Sequence, residues 1–316
     1  MKRQYWVGIA AAALAGAAAL VIKRSRPRPR TYRLELTGGD GSEAPGPGTI
    51  QFIGTATTLI RYAGMTILTD PNFLHRGERI HIGYGMHATR LTDPTIEFEE
   101  LPPIDFVLLS HLHEDHFDRL VEARLPKHTP IVTTSSAART LKRRGFTRTC
   151  ALHTWDHVNV RKGAARLRLT AMPGTHGRLL VSALLPDVMG TMLEFAGEEG
   201  GREFRLYITG DTLVFRDLWE IPRRYPKVDL ALLHLGGTRV MGVLVTMNAA
   251  QGIEALQIVG PEVAIPIHYN DYDVFKEPLD EFVHAVERAG LRDKVHYLQP
   301  GETYTFQVQP EGAPAK

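Results

Sequence analysis

The chain has 316 residues, of which 43% are hydrophobic and 23% are charged, a composition typical of a globular protein with a large core. Its single cysteine, Cys150, excludes an intrachain disulfide and a cysteine-rich metal site. The net charge is +2, but residues 1–30 contain seven basic residues and no acidic one. The rest of the chain therefore carries −5, which argues against nucleic acid as a general partner.

The first candidate element is an uncharged 18-residue stretch, YWVGIAAAALAGAAALVI, at residues 5–22. Its length is near the lower limit for a membrane-spanning helix, which needs about 20 apolar residues. Five basic residues follow it and favour a retained membrane anchor with the rest of the chain on the cytoplasmic side. Two alternatives stay open: a cleaved signal peptide followed by export, because Ala13-Leu14-Ala15 is an Ala-x-Ala site, and a peripheral helix.

Composition divides the chain into four parts. Residues 1–30 form the anchor or signal and a basic linker, in which the prolines of RSRPRPR favour an extended chain. Residues 31–48 are predicted to be a loop, because GGDGSEAPGPG at their end is rich in glycine and proline. Residues 49–308 form the main domain, and residues 309–316 form a flexible tail.

Strand patterns and helical patterns alternate through the main domain. Strand runs are followed by one or two helices, twice over, which predicts an α/β fold with two similar halves that enclose one core. Helices are predicted at residues 135–144, 248–259 and 278–290, the last with Pro278 at its start and Gly290 at its end. Strands are predicted at residues 49–54, 57–62, 65–70, 106–110, 130–134, 165–173, 191–195, 204–211, 228–235, 263–269 and 303–308.

A polar motif, HLHEDH, directly follows the apolar strand FVLLS. His111 and His113 lie where the chain leaves the strand, so both rings can turn toward one point. Asp115 and His116 come just before a predicted helix at residues 117–125. Four potential ligands within six positions therefore predict two adjacent metal sites. The alternative is a solvated polar loop in which an aspartate caps the helix.

Three further potential ligands occur at the ends of later strands. His176 follows the strand that ends in RLTAMP, Asp211 follows FRLYIT, and His268 follows VAIPI. Each is a weak signal alone, because an aspartate is common in turns and a histidine can pack in a core. Loops at the same edge of a sheet converge, however, so these residues together with HLHEDH predict one metal centre.

From Thr49 to Phe306 the chain resembles the metallo-β-lactamase superfamily, because HLHEDH matches its His-x-His-x-Asp-His motif at every signature position. The resemblance implies a four-layer αββα sandwich with the site at one edge of two packed sheets, preceded here by the N-terminal hydrophobic helix. It also implies that Asp70 lies near the metals. The implied ligands are His111, His113 and His176 for one metal, Asp115, His116 and His268 for the second, and Asp211 as the bridge.

The segment GTATTLIRYAGMTILTDP at residues 54–71 is similar to one branch of that superfamily. The branch includes L-ascorbate-6-phosphate lactonase-like proteins and phospholipases D that cleave N-acylphosphatidylethanolamine. Those phospholipases typically have tryptophan after the histidines that correspond to His176 and His268. Gly177 and Tyr269 occupy these positions here, which argues against a simple transfer of their substrate.

The ligand types themselves indicate the chemistry. Histidine and carboxylate ligands without thiolate suit Zn²⁺, with Mn²⁺ and Fe²⁺ as alternatives. Two such ions lower the pKa of a bridging water toward ~7 and polarise a substrate oxygen, so a bridging hydroxide is the expected nucleophile. Asp115 and Asp211 are the predicted catalytic residues, because they would orient this nucleophile or handle its proton.

The expected activity is hydrolysis of phosphodiesters in phospholipid-like or other anionic substrates, since the anchor would hold the site near a membrane. A lactone or carboxylic-ester hydrolase is the closest alternative, because the same ligands serve attack at a carbonyl carbon. An iron-dependent redox protein is an alternative of another class, and a scaffold with a structural metal is a third. The oligomeric state stays open.

Six residues are candidates for substrate contacts: two lie in the loop at residues 75–90, which is suited to covering the site, and four lie beside the proposed ligands or at strand ends. Arginine and histidine near a dinuclear site suit an anionic group such as phosphate. The alternative is a polar surface loop around residues 75–90 and a histidine packed at the end of its strand. The candidates are His81, Tyr84, Arg178, His234, Arg239 and Tyr269.

Overall fold

The computed structural model describes residues 28–38, 46–82, 85, 87–177, 185–196, 203–240 and 242–308. Its strands are β1 (Thr31–Glu35), β2 (Gly48–Gly54), β3 (Thr57–Tyr62), β4 (Met65–Thr69), β5 (Arg79–His81), β6 (His87–Thr89), β7 (Phe106–Leu108), β8 (Ile131–Thr134), β9 (Thr149–Leu152), β10 (His157–Lys162), β11 (Ala165–Met172), β12 (Gly190–Phe195), β13 (Phe204–Ile208), β14 (Leu230–His234), β15 (Arg239–Val240), β16 (Val243–Leu244), β17 (Val263–Ile267) and β18 (Thr303–Phe306). Its α-helices are α1 (Arg119–Arg124), α2 (Ser135–Arg143), α3 (Glu220–Arg224), α4 (Ala249–Val259) and α5 (Leu279–Arg288), and short 3-10 helices lie at Phe98–Glu100, Arg216–Trp219 and Arg292–Lys294.

Fourteen of these strands form two seven-stranded sheets. The first has the order β18-β2-β3-β4-β7-β8-β9, in which an antiparallel meander continues into parallel strands from β4 onward. The second has the order β1-β10-β11-β12-β13-β14-β17, in which β13, β14 and β17 are parallel. Parallel strands end at the same edge of a sheet, so the loops that follow them emerge together.

Alternating side chains divide each sheet between two hydrophobic clusters. On β14, Leu230 and Leu232 belong to the cluster that joins the two sheets, whereas Ala231 and Leu233 pack with α4 and α5. The first sheet shows the same alternation, and its outer face packs against α1 and α2. The layers are therefore helix, sheet, sheet and helix, and the predicted αββα sandwich is confirmed.

Four of the five α-helices in the described residues form where local signals predicted them, and α3 was not predicted. The side chain of Asn248 caps α4 by accepting a hydrogen bond from the backbone nitrogen of Gln251 at 3.0 Å, and the helix ends at Gly260 with φ +63°. Asp118 caps α1 in the same way, from Val121 at 2.8 Å. The four predicted helices are confirmed to within one turn.

The loop predicted at residues 31–48 is wrong at both ends. Its first residues form β1, which pairs in parallel with β10 and places Tyr32 opposite Val158, and its last residue begins β2. Tyr32 and Leu34 pack partly buried against the main core, so the compact unit begins at Thr31. TYRLEL has the alternation of a strand, and the glycine-rich stretch that indicates a loop begins only after it.

The predicted hydrophobic segment at residues 5–22 and the predicted tail at residues 309–316 lie outside the described residues. Of the separate unit at residues 1–30, the structure describes residues 28–30, which have no regular secondary structure. Within the described part of the chain, no helix combines the length and apolar character needed to cross a membrane.

Candidate metal centre

Seven polar side chains converge at the edge where the two sheets meet. Four follow β7 in the first sheet, and the other three follow β11, β13 and β17 in the second. Backbone hydrogen bonds join the sheets here, from Met189 to the carbonyl of Ser110 at 3.1 Å and from His268 to that of Thr55 at 2.7 Å. The seven residues are His111, His113, Asp115, His116, His176, Asp211 and His268.

The backbone at this edge adopts left-handed conformations that re-aim the side chains. His268 has φ +64° and Asp70 has φ +37°, and such values are uncommon for residues other than glycine. Gly210, just before Asp211, has φ +61°, and a Cβ there would lie 2.7 Å from the carbonyl oxygen of Met189. Strained backbone of this kind clusters at functional sites, because the surrounding fold holds it in place.

The three-histidine group consists of His111, His113 and His176. Nδ1 of His113 lies 2.9 Å from Nε2 of His111 and 3.3 Å from Nε2 of His176. Nδ1 of His176 donates a hydrogen bond to the carbonyl of Val245 at 2.9 Å, so its Nε2 carries the lone pair that faces the group. The three nitrogens therefore point at one position.

The mixed group consists of Asp115, His116, Asp211 and His268. Nε2 of His268 lies 3.5 Å from Oδ2 of Asp115 and 3.5 Å from Oδ1 of Asp211, and Nε2 of His116 lies 3.4 Å from Oδ2 of Asp211. Nδ1 of His268 donates to the carbonyl of Leu235 at 3.0 Å, which again leaves Nε2 for the group. All four side chains are buried.

Electrostatics separate the two groups. Burial, reinforced by neighbouring histidines, lowers the pKa of His111 well below its usual value and that of His113 to about 4, and burial also lowers the pKa of His176. In the mixed group burial alone would lower the pKa of His116 and His268, but the carboxylate of Asp211 raises both, that of His116 to well above its usual value.

The pKa values of the two carboxyl groups in the mixed group are lowered by the histidines beside them. Burial would raise the pKa of Asp211, but His268 and His116 hold it well below its usual value. Burial would also raise the pKa of Asp115, but His116 lowers it to about 2. Both aspartates are therefore charged at neutral pH, and a divalent cation would replace the protons of His116 and His268 that balance them.

The donor set fits divalent metal ions. Four buried atoms of the mixed group have no hydrogen-bond partner among the described residues: Oδ1 of Asp115, Nε2 of His116, Oδ1 of Asp211 and Nε2 of His268. A buried polar atom without a partner is costly, and native structures normally satisfy it with a protein group, water or ion. Imidazole nitrogens and carboxylate oxygens are ligands that Zn²⁺ accepts.

The two groups adjoin each other. The rings of His111 and His116 lie 4.2 Å apart between centroids, and the charge of Asp211 acts on His111 and His176 as well as on the mixed group. Asp70, which was predicted to lie near the metals, has its Oδ2 3.2 Å from Nδ1 of His116. The structure thus brings together every residue that was predicted as a ligand.

The structure corrects two of the predicted substrate contacts. His234 has no exposed surface, and its Nε2 faces Oδ2 of Asp70 at 3.6 Å. Tyr269 is 5% exposed, and its hydroxyl donates to the carbonyl of Leu298 at 3.4 Å within the core between the sheets. Both side chains are therefore enclosed almost completely by the protein.

The other predicted contacts lie outside the described residues or on the surface. Tyr84 and Arg178 lie outside the described residues. His81 lies exposed on the β5–β6 hairpin, and its backbone nitrogen donates to Oε2 of Glu114 at 2.8 Å, which ties this hairpin to the HLHEDH loop. Arg239 lies exposed at the start of the β15–β16 hairpin.

Sequence reasoning missed two residues that hold the ligands. The hydroxyl of Thr246 donates to Oδ2 of Asp211 at 3.1 Å, and the carbonyl of Val245 orients His176. Both follow β16, and neither type of residue has a recognisable metal-site spacing. Only the fold shows that the base of the β15–β16 hairpin rests on the centre.

The family comparison agrees with this geometry. Residues 66–269 match the model of the beta-lactamase superfamily domain. A UPF0173 metal-dependent hydrolase of Archaeoglobus fulgidus is 32% identical over 207 residues, which cover 64% of this chain and 82% of that protein. The resemblance to the superfamily is thereby confirmed, whereas the narrower branch inferred from residues 54–71 stays a prediction.

Solved structures share the fold at lower identity. A possible metal-dependent hydrolase from Veillonella parvula has a TM-score of 0.70 at 18% identity and covers 83% of this chain and 100% of that one. The isothiocyanate hydrolase from Delia radicum gut bacteria has a TM-score of 0.69 at 21% identity, with coverages of 82% and 99%. At these identities the likeness shows the sandwich fold.

Proposed function

Because the chain belongs to the beta-lactamase superfamily, we propose that it is a metal-dependent hydrolase with a dinuclear centre. The three-histidine group would hold one ion, the mixed group would hold the second, and Asp211 would bridge them. Zn²⁺ suits these ligands best, with Mn²⁺ and Fe²⁺ as alternatives. The observation that carries the proposal is the convergence of seven candidate ligand side chains at the meeting edge of the sheets, four of them with a buried atom that has no hydrogen-bond partner among the described residues.

Two divalent ions in such a site would lower the pKa of a shared water and polarise a substrate oxygen. The protein's own part is to hold the donors and manage a proton. Thr246 fixes one oxygen of Asp211, and Asp115 is the carboxylate with slightly greater exposure, 7% against 2%. In this proposal Asp115 would pass a proton toward solvent, and Asp211 would orient the attacking group.

The proposed substrate is a phosphodiester with an apolar part, such as a phospholipid-like molecule. Support comes from the β15–β16 hairpin, whose base contacts the centre through Val245 and Thr246. The hairpin exposes Arg239 together with Val243, which is 38% exposed. A guanidinium suits a phosphate, and an exposed apolar side chain on the same hairpin suits an acyl chain.

Residues 5–22 would hold this site at a membrane surface with the domain on the cytoplasmic side, as a retained anchor. Export after cleavage of a signal peptide is the alternative. Within either arrangement the mildly acidic body favours a small-molecule or lipid substrate over nucleic acid.

The test is hydrolysis of a generic aryl phosphodiester by the full chain loaded with zinc or manganese. The Asp211→Asn variant should lose at least about 100-fold in turnover, since it loses a carboxylate that orients the nucleophile. Asp293→Asn makes the same chemical change at an exposed site and is the control. Metal content and circular dichroism of all three proteins show whether an inactive variant is still folded and loaded.

The outcomes separate the alternatives. Turnover that Asp211→Asn loses and Asp293→Asn keeps would support a phosphodiesterase. A protein that holds two ions and leaves the phosphodiester intact but cleaves a lactone or aryl ester would belong to the alternative class of ester hydrolases. Bound iron with visible absorption and no hydrolysis of either would replace the hydrolase proposal with a redox function.

A further inference from the structure

A fourth histidine lies behind the centre, at the end of β14. His234 pairs with Ile267 in the sheet, so it stands beside the residue that precedes His268. Its ring lies nearly parallel to that of His116, with centroids 6.0 Å apart and an interplanar angle of 11°. Its side chain is fully buried, so it can act only through its buried neighbours.

The tautomer of His234 follows from its contact with Thr209. The hydroxyl oxygen of Thr209 accepts a hydrogen bond from the backbone nitrogen of His234 at 2.9 Å and lies 3.2 Å from Nδ1 of the same residue. A hydroxyl oxygen can accept two hydrogen bonds, but that of Thr209 meets no acceptor other than Nδ1 among the described residues, so its single proton points to Nδ1, which acts as the acceptor. A neutral imidazole carries one proton, so that proton is on Nε2.

That Nε2 proton faces the carboxylate of Asp70. Nε2 lies 3.6 Å from Oδ2 of Asp70, which is longer than a good hydrogen bond, and it has no closer acceptor among the described residues. The same Oδ2 lies 3.2 Å from Nδ1 of His116, while Oδ1 of Asp70 accepts a hydrogen bond from the backbone nitrogen of Ser110 at 2.7 Å. Asp70 is thus surrounded by three N–H groups.

We propose that His234 is a positioning residue, which holds the Asp70 carboxylate so that it keeps the proton of His116 on Nδ1 and the lone pair of Nε2 toward the mixed group. This inference rests on the proposed metal centre and extends it by one residue. His234 acts through Asp70, so it should affect the ion in the mixed group and leave the three-histidine group unchanged.

The three groups could instead bind an ion themselves, because Asp70, His116 and His234 each present a ligand atom within 4.8 Å of the others. The surroundings favour positioning. The oxygens of Asp70 already face three N–H groups, and the Thr209 contact places a proton on the very nitrogen that an ion would need. A ligand nitrogen has to be deprotonated before it binds a metal.

The test compares two amide substitutions in the full chain. The amide of glutamine reaches about as far as Nε2 of histidine and can still donate to Asp70, whereas that of asparagine reaches only as far as Nδ1. The affinities of the two groups for Zn²⁺ are measured by competition with a chromophoric chelator, and Co²⁺ absorption reports the geometry of each site. His234→Asn should weaken the mixed group by about tenfold, the lower end of the effect of outer-shell partners.

Three outcomes support the proposal together: His234→Gln keeps most of the affinity, the three-histidine group binds unchanged in both variants, and His234→Asn causes no further loss in an Asp70→Asn background. The unchanged three-histidine group also shows that the variant is folded. Equal weakening of both groups, equal losses with Asn and Gln, or the same loss in the Asp70→Asn background would reduce His234 to a packing role.

A third bound ion that His234→Asn removes would also overturn the proposal, since it would make His234 a ligand. No substrate enters any of these measurements. A loaded protein that hydrolyses nothing would therefore refute the proposed function and leave the test of His234 standing.

Discussion

The two halves of the centre hold their ligands by different means. The three-histidine group is built from neutral imidazoles whose pKa values burial lowers, and a backbone carbonyl orients His176. The mixed group contains two charged carboxylates, and these raise the pKa of His116 and His268. Asp70 lies directly behind it.

This difference indicates that the groups should respond differently to the same perturbation. The three-histidine group is ready for an ion at neutral pH, because its nitrogens carry lone pairs without losing protons. The mixed group attracts a cation by charge but has to release protons from its histidines first. It also depends on more partners, so its affinity should be the easier one to weaken.

The largest expected effect comes from removing one histidine from each group. His176→Ala should leave a protein that binds one ion, in the mixed group, and His268→Ala should leave one ion in the three-histidine group. Metal content after dialysis measures the stoichiometry, and Co²⁺ absorption distinguishes the all-nitrogen site from the site with carboxylates. If either substitution releases both ions, the two groups bind as one unit and the comparison fails.

The second effect is the pH dependence of metal affinity. Burial lowers the pKa of His113 to about 4 and also lowers the pKa values of His111 and His176, so the affinity of the three-histidine group should change little with pH at and above neutral pH. His116 and His268 have raised pKa values and should release protons, so the affinity of the mixed group should rise with pH, by up to about tenfold per unit for each proton.

Calorimetric titrations in two buffers of different ionisation enthalpy measure those protons directly. Proton release confined to the step that fills the mixed group would support the assignment. Equal slopes for the two sites would contradict it.

The smallest effect concerns the hydroxyl of Thr246. Thr246→Val removes the hydrogen bond to Asp211, and bonds to charged groups contribute about 1.5–3 kcal/mol, so the mixed group should lose affinity by about tenfold. Thr133→Val is the matched control, because the buried hydroxyl of Thr133 has no hydrogen-bond partner among the described residues. Chelator competition measures both variants, and an unchanged affinity in Thr246→Val would remove this residue from the support of the site.

The ligand set was predictable because its signals are local. HLHEDH places four ligands within six positions, and His176, Asp211 and His268 each follow an apolar strand. The signal for β1, the alternation of Tyr32 and Leu34, is equally local, but the glycine-rich stretch after it indicates a loop. Thr246 was not predictable, because 35 positions separate it from Asp211 and threonine is common in loops.

His234 and Tyr269 show the limit of reasoning from strand ends. Both were predicted to face a substrate because they end or follow apolar strands beside proposed ligands. A side chain at a strand end can turn toward the site or into the fold, and the neighbouring strands decide which. The contact with Thr209 holds the side chain of His234 inside the fold. Packing against Phe52 in the core does the same for Tyr269.

The sequence by itself determined the fold class, four of the helices and the residues that converge at the candidate metal centre, because alternation, capping and ligand spacing operate over a few residues. Only the tertiary structure decided how those residues are used. In the folded protein the histidines of one group are neutral, whereas those of the other are paired with carboxylates. The packing also decides which ring nitrogen faces each group, and it brings Asp70, His234 and Thr246 next to the candidate ligands. Protonation and tautomer depend on burial and on partners that are distant in the chain, and such partners meet only when the two sheets pack.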